Sequence, residues 1–269
     1  MARRSRLDSE LVRRGLAPSR AQAAALVAAG RVRVRGMVAS KPATMVDVAD
    51  PVLVAADSAA GDYVSRGGHK LAGALAEFVP AGLVVQGRRA LDAGASTGGF
   101  TEVLLAAGAA QVVAVDVGYG QLAWSLRNDP RVRVQERTNV RSLSPELIDG
   151  LVSLVVADLS FISLRLVLPA LAGCTEASGD LVLMVKPQFE VGKGRVGPGG
   201  VVRDPQLHAA AVTAVAQAAV EQGLGVAGVC RSPLPGPAGN REFFLWLRRG
   251  APELSAERLA AVVAGGRIE

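Results

Sequence analysis

Several residue types are scarce in this 269-residue chain, and each scarcity excludes something. Histidine occurs only as His69 and His208, and cysteine only as Cys174 and Cys230. Neither pair has metal-ligand spacing, so no metal site and no histidine-based proton transfer is expected. Two isolated thiols form no disulfide framework and fit a reducing compartment. No run approaches the roughly 20 apolar residues that cross a bilayer, and Met1-Ala-Arg-Arg4 is not followed by an apolar signal core. The expectation is a soluble, cytoplasmic protein with no membrane partner. Lysine is scarce too: only Lys41, Lys70, Lys186 and Lys193 among 30 basic side chains. Arginine serves wherever a permanent charge suffices, whereas an amine can give up its proton. Lys70 and Lys186 are therefore candidates for chemistry, although surface charges or structural ion-pair partners would read the same way.

The abundant positive charge is concentrated. The whole chain carries 30 basic against 24 acidic residues, or +6, yet residues 1–41 hold nine arginines plus Lys41 against Asp8 and Glu10, or +8. The remainder is slightly acidic. A polyanion site at the front is implied. Asp8 suits a helix cap, with Gly15 as the stop, and Ser19-Arg-Ala-Gln22 is a capping-box pattern for a second helix ending at Gly30. Arg31-Val-Arg-Val-Arg35 alternates, with Val32 and Val34 on one strand face and three arginines on the other. A solvated charged face would read the same way. With so few acids nearby, the candidates for phosphate contact in RNA are Arg3, Arg4, Arg6, Arg20, Arg31, Arg33, Arg35 and Lys41. With six Phe, two Tyr and two Trp in the chain, ring stacking has little to offer, and structured RNA is expected rather than single strands or DNA. The pattern Arg6-Leu-Asp-x-x-Leu-Val-x-x-Gly15 through Val32-x-Val34-x-Gly36 resembles the S4 family of RNA-binding domains. A polar join at 57–62 sets the expected boundary, with an S4-like α+β domain and linker over 1–62 and a second domain over 63–269.

In the second domain, Ala90-Leu-Asp-Ala-Gly-Ala-Ser-Thr-Gly-Gly-Phe100 reads as a buried strand, a glycine-rich turn and a helix. Glycine lets a ligand approach main-chain N–H groups. A dinucleotide fingerprint would place glycine where Ser96 stands, so a nucleoside without a pyrophosphate is expected. S-adenosylmethionine (SAM) fits, because Gln111-Val-Val-Ala-Val-Asp116 supplies an acid for its ribose one strand later. An ordinary packing turn would use the same glycines. The cofactor-binding candidates are Asp92, Gly94, Ala95, Ser96, Gly98, Gly99, Phe100, Asp116 and Phe161.

Strands are expected near 88–95, 111–117, 132–138, 151–158, 180–187, 225–231 and 241–249, with helices near 99–107, 119–128, 162–172 and 205–222. This predicts a doubly wound α/β fold around a mostly parallel seven-stranded sheet. Ser232 to Asn240 is too short and proline-rich for a crossover helix, so the last strand is antiparallel. The glycine-rich stretch between Phe189 and Asp204 reads as a mobile basic flap. Ligands bind beyond the carboxyl ends of parallel strands. Asp158 and Lys186 end two such strands, Glu242 begins the reversed one on the same edge, and Lys70, in the first turn of a helix before the glycine turn, closes the group.

These four resemble the Lys-Asp-Lys-Glu set of RNA ribose 2′-O-methyltransferases. With the S4-like front, Val117-Gly-Tyr-Gly-Gln121, Ala157-Asp-Leu-Ser-Phe-Ile-Ser163 and Val185-Lys-Pro-Gln-Phe-Glu-Val-Gly-Lys193, the chain resembles the TlyA (haemolysin A-like) family of S4-domain ribosomal RNA 2′-O-methyltransferases from Ala2 to about Arg249. The resemblance implies a class I, Rossmann-like, FtsJ-like methyltransferase domain. It further implies SAM-dependent methylation of cytidine ribose in 16S and 23S ribosomal RNA, an association with capreomycin susceptibility, a monomer working on ribosomal subunits, and Lys70, Asp158, Lys186 and Glu242 as the catalytic set. The alternatives are a membrane-acting haemolysin and a non-catalytic ribosome-binding or assembly module.

Overall fold

The computed structural model describes residues 4–17, 19–28, 30–54 and 63–265. Arg3 and the polar join lie outside them. The chain divides into two compact units, Met1–Asp62 and Tyr63–Glu269.

In the first unit, strand β1 (Arg4–Arg6) runs straight into helix α1 (Leu7–Arg13). Asp8 is thus inside the helix and not its cap. Its carboxylate is held by Arg6 at 2.8 Å and Arg20 at 3.1 Å, which fixes it as an ion-pair hub. Glu10 is held likewise by Arg13 at 2.6 Å and Arg14 at 2.7 Å. Hydrogen bonds from Arg6 and from Arg13 keep the two buried carboxyls far below the usual carboxylate range. Helix α2 (Arg20–Ala28) is capped by Ser19, whose Oγ accepts the Gln22 N–H at 3.2 Å. The chain turns at Gly15 and at Gly30, each with φ +69°. Strands β2 (Val32–Val34), β3 (Met37–Val38), β4 (Met45–Asp47) and β5 (Val52–Val54) follow. They form a three-stranded sheet, β3-β2-β5, and a β1-β4 ladder. Val32 is in the core with Leu7, Leu11, Ala23, Val27, Val46 and Val52. The alternation stops sooner than the sequence suggests, because Arg35 has φ +52° and belongs to the turn after β2.

The second unit opens with α3 (Arg66–Phe78), followed by β6 (Arg89–Ala93), α4 (Gly99–Ala106), β7 (Gln111–Val115), α5 (Trp124–Arg127) and β8 (Val132–Gln135). Then come β9 (Val152–Ala157), α6 (Leu168–Gly173), β10 (Thr175–Val185), α7 (Pro187–Glu190), α8 (Pro205–Val220), β11 (Gly225–Arg231), β12 (Phe243–Arg248) and α9 (Ala256–Ala264). The seven strands lie in the order β11-β12-β10-β9-β6-β7-β8. Strands β8, β7, β6, β9 and β10 are parallel, and β12 is antiparallel to both its neighbours. This is the doubly wound, mostly parallel sheet with a reversed last strand that the sequence predicts. Alternation splits the core in two. Val155, Ala157, Leu183 and Val185 face α6, α8 and α9, while Leu154, Val156, Val182 and Met184 face α3 and α4.

Four local expectations change. Lys70 is the fifth residue of α3, past the first turn, because Ser65 and not a later residue precedes the helix. Helix α5 is a single turn, and β10 starts five residues early with a register shift between Thr175 and Asp180. The 189–204 stretch is not featureless: it holds the end of α7 and 3₁₀ turns at Lys193–Arg195 and Pro198–Gly200. Beyond Arg249 the chain forms α9, whose Leu259, Val262 and Val263 are buried in the core.

Candidate active site

The chain leaves β6 to one side for β7 and returns on the other as β9, so the order reverses between β6 and β9. A crevice is expected at the carboxyl ends of those two strands. There the glycine turn after β6 meets the end of β9: Asp158 N–H donates to Ala93 O at 3.2 Å. A Cβ on Gly94 would lie 2.7 Å from Asp158 O, so only glycine fits at this φ of +89°. Two cavities of about 440 and 480 Å³ flank this contact. They share Gly94, Ser96, Asp158 and Ser160 as a common wall.

The second cavity, the lobe where the sequence places a nucleoside, lies beside the end of β7. Asp116, Gln121, Thr138, Asn139, Phe161 and Ile162 line it. Asp116 directly follows β7, with its Oδ2 accepting from Ser96 N–H at 2.8 Å and its Oδ1 from Gly118 N–H at 2.6 Å. Carboxylate oxygens accept more than one bond, so both still have capacity for a hydroxyl. Phe161 is 91% exposed, has φ +63°, and sits with its ring centroid 5.4 Å from that of Phe189.

The first cavity collects the amines. Lys70, Asp158 and Lys186 line it together with Ser65, Arg66, Gly67, Ala95, Gly99 and Phe100. Lys70 Nζ lies 2.5 Å from Glu242 Oε2, and Lys186 Nζ lies 2.5 Å from Asp158 Oδ1 and 3.1 Å from Ser160 Oγ. Both amines are nearly buried, with side chains 7% and 10% exposed. The reversal of β12 is what delivers Glu242 to this edge. Its carboxylate fits closely, since a Cβ on Gly236 would lie 2.6 Å from Oε1. Two lysines distant in sequence therefore meet around one cavity, each with its own carboxylate.

Three of the catalytic and cofactor candidates, Asp92, Gly98 and Glu242, line neither lobe, Glu242 reaching the first only through its pair with Lys70. Asp92 lies beneath the turn, fully buried, with Oδ2 accepting from Thr101 Oγ at 2.7 Å and Oδ1 without a partner among the described residues. Burial pushes its carboxyl up to about 7, against the pull of the Thr101 bond and helped by Asp158 and Asp116. Gly98 is a packing glycine, because a Cβ there would meet Leu126 at 2.3 Å. Conversely, Ser65, Arg66, Ser160, Gln121, Thr138 and Asn139 were not singled out. For Thr138 and Asn139 a signal existed, since they follow a parallel strand at its carboxyl end. Among the described residues no group of His, Cys, Asp and Glu could hold a metal ion, and no helix is long and apolar enough to cross a membrane. In the first unit, Arg4, Arg33 and Lys41 are exposed, while Arg6 and Arg20 share Asp8 and Arg35 pairs with Asp50 at 2.7 Å.

A reversed-strand doubly wound sheet, with a glycine turn and a crevice at its switch point, defines the class I methyltransferase fold. The sequence matches the FtsJ-like methyltransferase family over residues 63–249 and the S4 domain family over residues 5–52. The chain belongs to the FtsJ-like methyltransferase family, with an S4 domain in front. It is 66% identical over 248 residues to the 16S/23S rRNA (cytidine-2′-O)-methyltransferase TlyA of Mycobacterium tuberculosis, covering 92% of this chain and 91% of that one. It is 36% identical to Hemolysin A of Brachyspira hyodysenteriae, covering 88% and 97% of the two chains. A solved hemolysin-named protein from Streptococcus thermophilus superposes with a TM-score of 0.77 at 40% identity, covering 98% of this chain and 96% of that one.

Proposed function

We propose that this chain transfers a methyl group from SAM to the 2′-hydroxyl of cytidine in 16S and 23S ribosomal RNA. Residues 63–269 would form the catalytic domain and residues 1–62 the RNA-binding domain and linker. An enzyme with this substrate works in the cytoplasm on ribosomal subunits, and its loss is expected to lower capreomycin susceptibility. The carrying observation is the pairing of Lys70 with Glu242 and of Lys186 with Asp158 around a single cavity next to a nucleoside lobe.

The residues fit SAM. Gly94, Ala95, Ser96, Gly99 and Phe100 would bound its amino-acid end, Asp116 would take the ribose hydroxyls, and Phe161 would close over the nucleoside, with Asp92 and Gly98 holding the turn from behind. When bound, SAM supplies a methyl group made electrophilic by its sulfonium. As the neutral amine, having first given up its own proton, Lys186 accepts the proton of the ribose hydroxyl, and Asp158 at 2.5 Å holds the resulting ammonium; as the ammonium it can only polarise that hydroxyl. Lys70, fixed by Glu242, orients the ribose and places a second cation beside the oxygen. Charge on that oxygen grows toward the transition state, so nearby fixed cations gain more there than in the ground state. The exposed arginines of the first unit and Lys41 would meet phosphates.

Purified ribosomal subunits lacking the modification, incubated with methyl-labelled SAM and mapped for 2′-O-methyl positions, test this directly. Transfer to a base, or none at all, would sink the reading; Lys186→Ala should abolish it. Failure of the protein to take up SAM in a calorimetric titration would favour the non-catalytic module. The hemolysin names of two relatives also keep a membrane-acting reading in view. Lysis of protein-free liposomes by the pure protein would support that alternative.

A further inference from the structure

Glu190 takes no part in the chemistry above, yet its carboxylate is buried and fully engaged. It lies four residues beyond Lys186, at the end of α7. Its Oε2 accepts from Ser163 Oγ at 2.5 Å, its Oε1 from Leu164 N–H at 2.7 Å, and Arg165 Nε lies 3.5 Å from Oε2. Ser163 to Arg165 follow Asp158 by only a few residues. One carboxylate thus ties the segment leaving β10 to the segment leaving β9, and these carry the two halves of the Lys186–Asp158 pair. The same two segments touch twice more, through the rings of Phe161 and Phe189 and through Lys186 Nζ on Ser160 Oγ. Phe161, between the ties, has φ +63°, a conformation that a side-chain-bearing residue keeps only when its surroundings hold it.

We propose that Glu190 is a positioning residue for the Lys186–Asp158 pair: its carboxylate fixes the loop after β9 so that Asp158 meets the amine and Phe161 faces the nucleoside lobe. The inference rests on the reaction proposed above for its catalytic consequence, but not for its structural one. Removing the tie lets the loop after β9 shift, and displacements of about an ångström at a reacting centre cost on the order of 10²-fold in rate.

The chain has only four lysines, so labelling them with ¹³C at Cε gives a spectrum in which the Lys186 signal is assigned by its loss in Lys186→Arg. In Glu190→Ala this signal should move toward that of exposed Lys41, kcat should fall roughly 10–100-fold, and the pH profile of kcat should shift. Glu190→Gln, which can accept from Leu164 N–H and donate to Ser163 Oγ, should restore the signal and most of the rate. Should Glu190→Ala fail to fold, Ser163→Ala, which deletes one of the two bonds, should move the Lys186 signal the same way by less. A Lys186 signal and pH profile unchanged in every folded variant would overturn the proposal. Because the resonance is read without RNA or SAM, a wild-type protein inactive on ribosomal RNA would sink the proposed reaction and leave the tie to be judged separately.

Discussion

Asp8 and Asp92 are both buried aspartates, one in each unit, and they are treated in opposite ways. Asp8 sits between Arg6 and Arg20, whose bonds hold its carboxyl down. Asp92 has a threonine hydroxyl and, among the described residues, no cation, and its carboxyl rises to about 7. The difference extends to the cations each unit buries with its carboxylates. Among the described residues the first pairs Asp8, Glu10 and Asp50 with guanidinium groups alone, whereas the second, besides arginine pairs such as Arg88 with Asp180, holds two nearly buried amines, Lys70 on Glu242 and Lys186 on Asp158.

The largest expected effect breaks the second half of this contrast. Lys186→Arg keeps a cation beside Asp158 but cannot accept a proton, so methyl transfer should fall about 10³-fold and lose its dependence on this group in the pH–rate profile. Retained turnover with an unchanged profile would contradict a titrating role.

The two aspartates should then give stability profiles of opposite sign. The folded value of Asp92 is raised, so its contribution is intact below the unfolded value of about 3.9 and is lost as pH rises toward 7. Asp92→Asn should therefore stabilise the ligand-free protein at pH 8, by on the order of 4 kcal/mol, and leave it unchanged at pH 4, as read by denaturant melts. The folded value of Asp8 is lowered, so its stabilisation is present above about pH 4 and disappears in acid. In Asp8→Asn the first unit should melt roughly 5 °C or more lower at pH 7, with the difference vanishing in acid.

Smaller effects sharpen the contrast. Gly236→Ala crowds Glu242 and should slow transfer about tenfold through Lys70, without moving the melting temperature much; single-turnover rates would show it. Arg33→Ala removes one exposed guanidinium and should weaken RNA binding a few-fold, lowering the salt slope of log K by about 1 and leaving single-turnover chemistry intact. A Lys186-sized loss of rate from Arg33→Ala would erase the division between the units.

Much of this was legible in the sequence because it depends on short-range pattern. Runs such as Leu154 to Ala157 and Leu181 to Val185 are buried on both faces, the glycine turn is contiguous, and Lys186 and Asp158 mark strand ends. Topology brought both lysines and both acids to one sheet edge, but the division into Lys70 with Glu242 and Lys186 with Asp158 is a tertiary fact. What the sequence hid depends on tertiary partners. Asp8 reads as a cap by its local position but is claimed by Arg20, twelve residues on. Glu190 looks like one more acid in a loop until Ser163 is seen beside it. Helix α9 was readable, with Leu259, Val262 and Val263 at helical spacing after Ser255, whose hydroxyl accepts the Arg258 N–H.

The wall shared by the two lobes has a practical side. It is formed by a bare glycine, two serines and the aspartate of one ion pair, low enough for Gly94 to border both spaces. A single inhibitor bridging that ridge, with a nucleoside at one end and a carboxylate facing Lys70 at the other, would surrender its translational freedom once while gaining contacts on both sides.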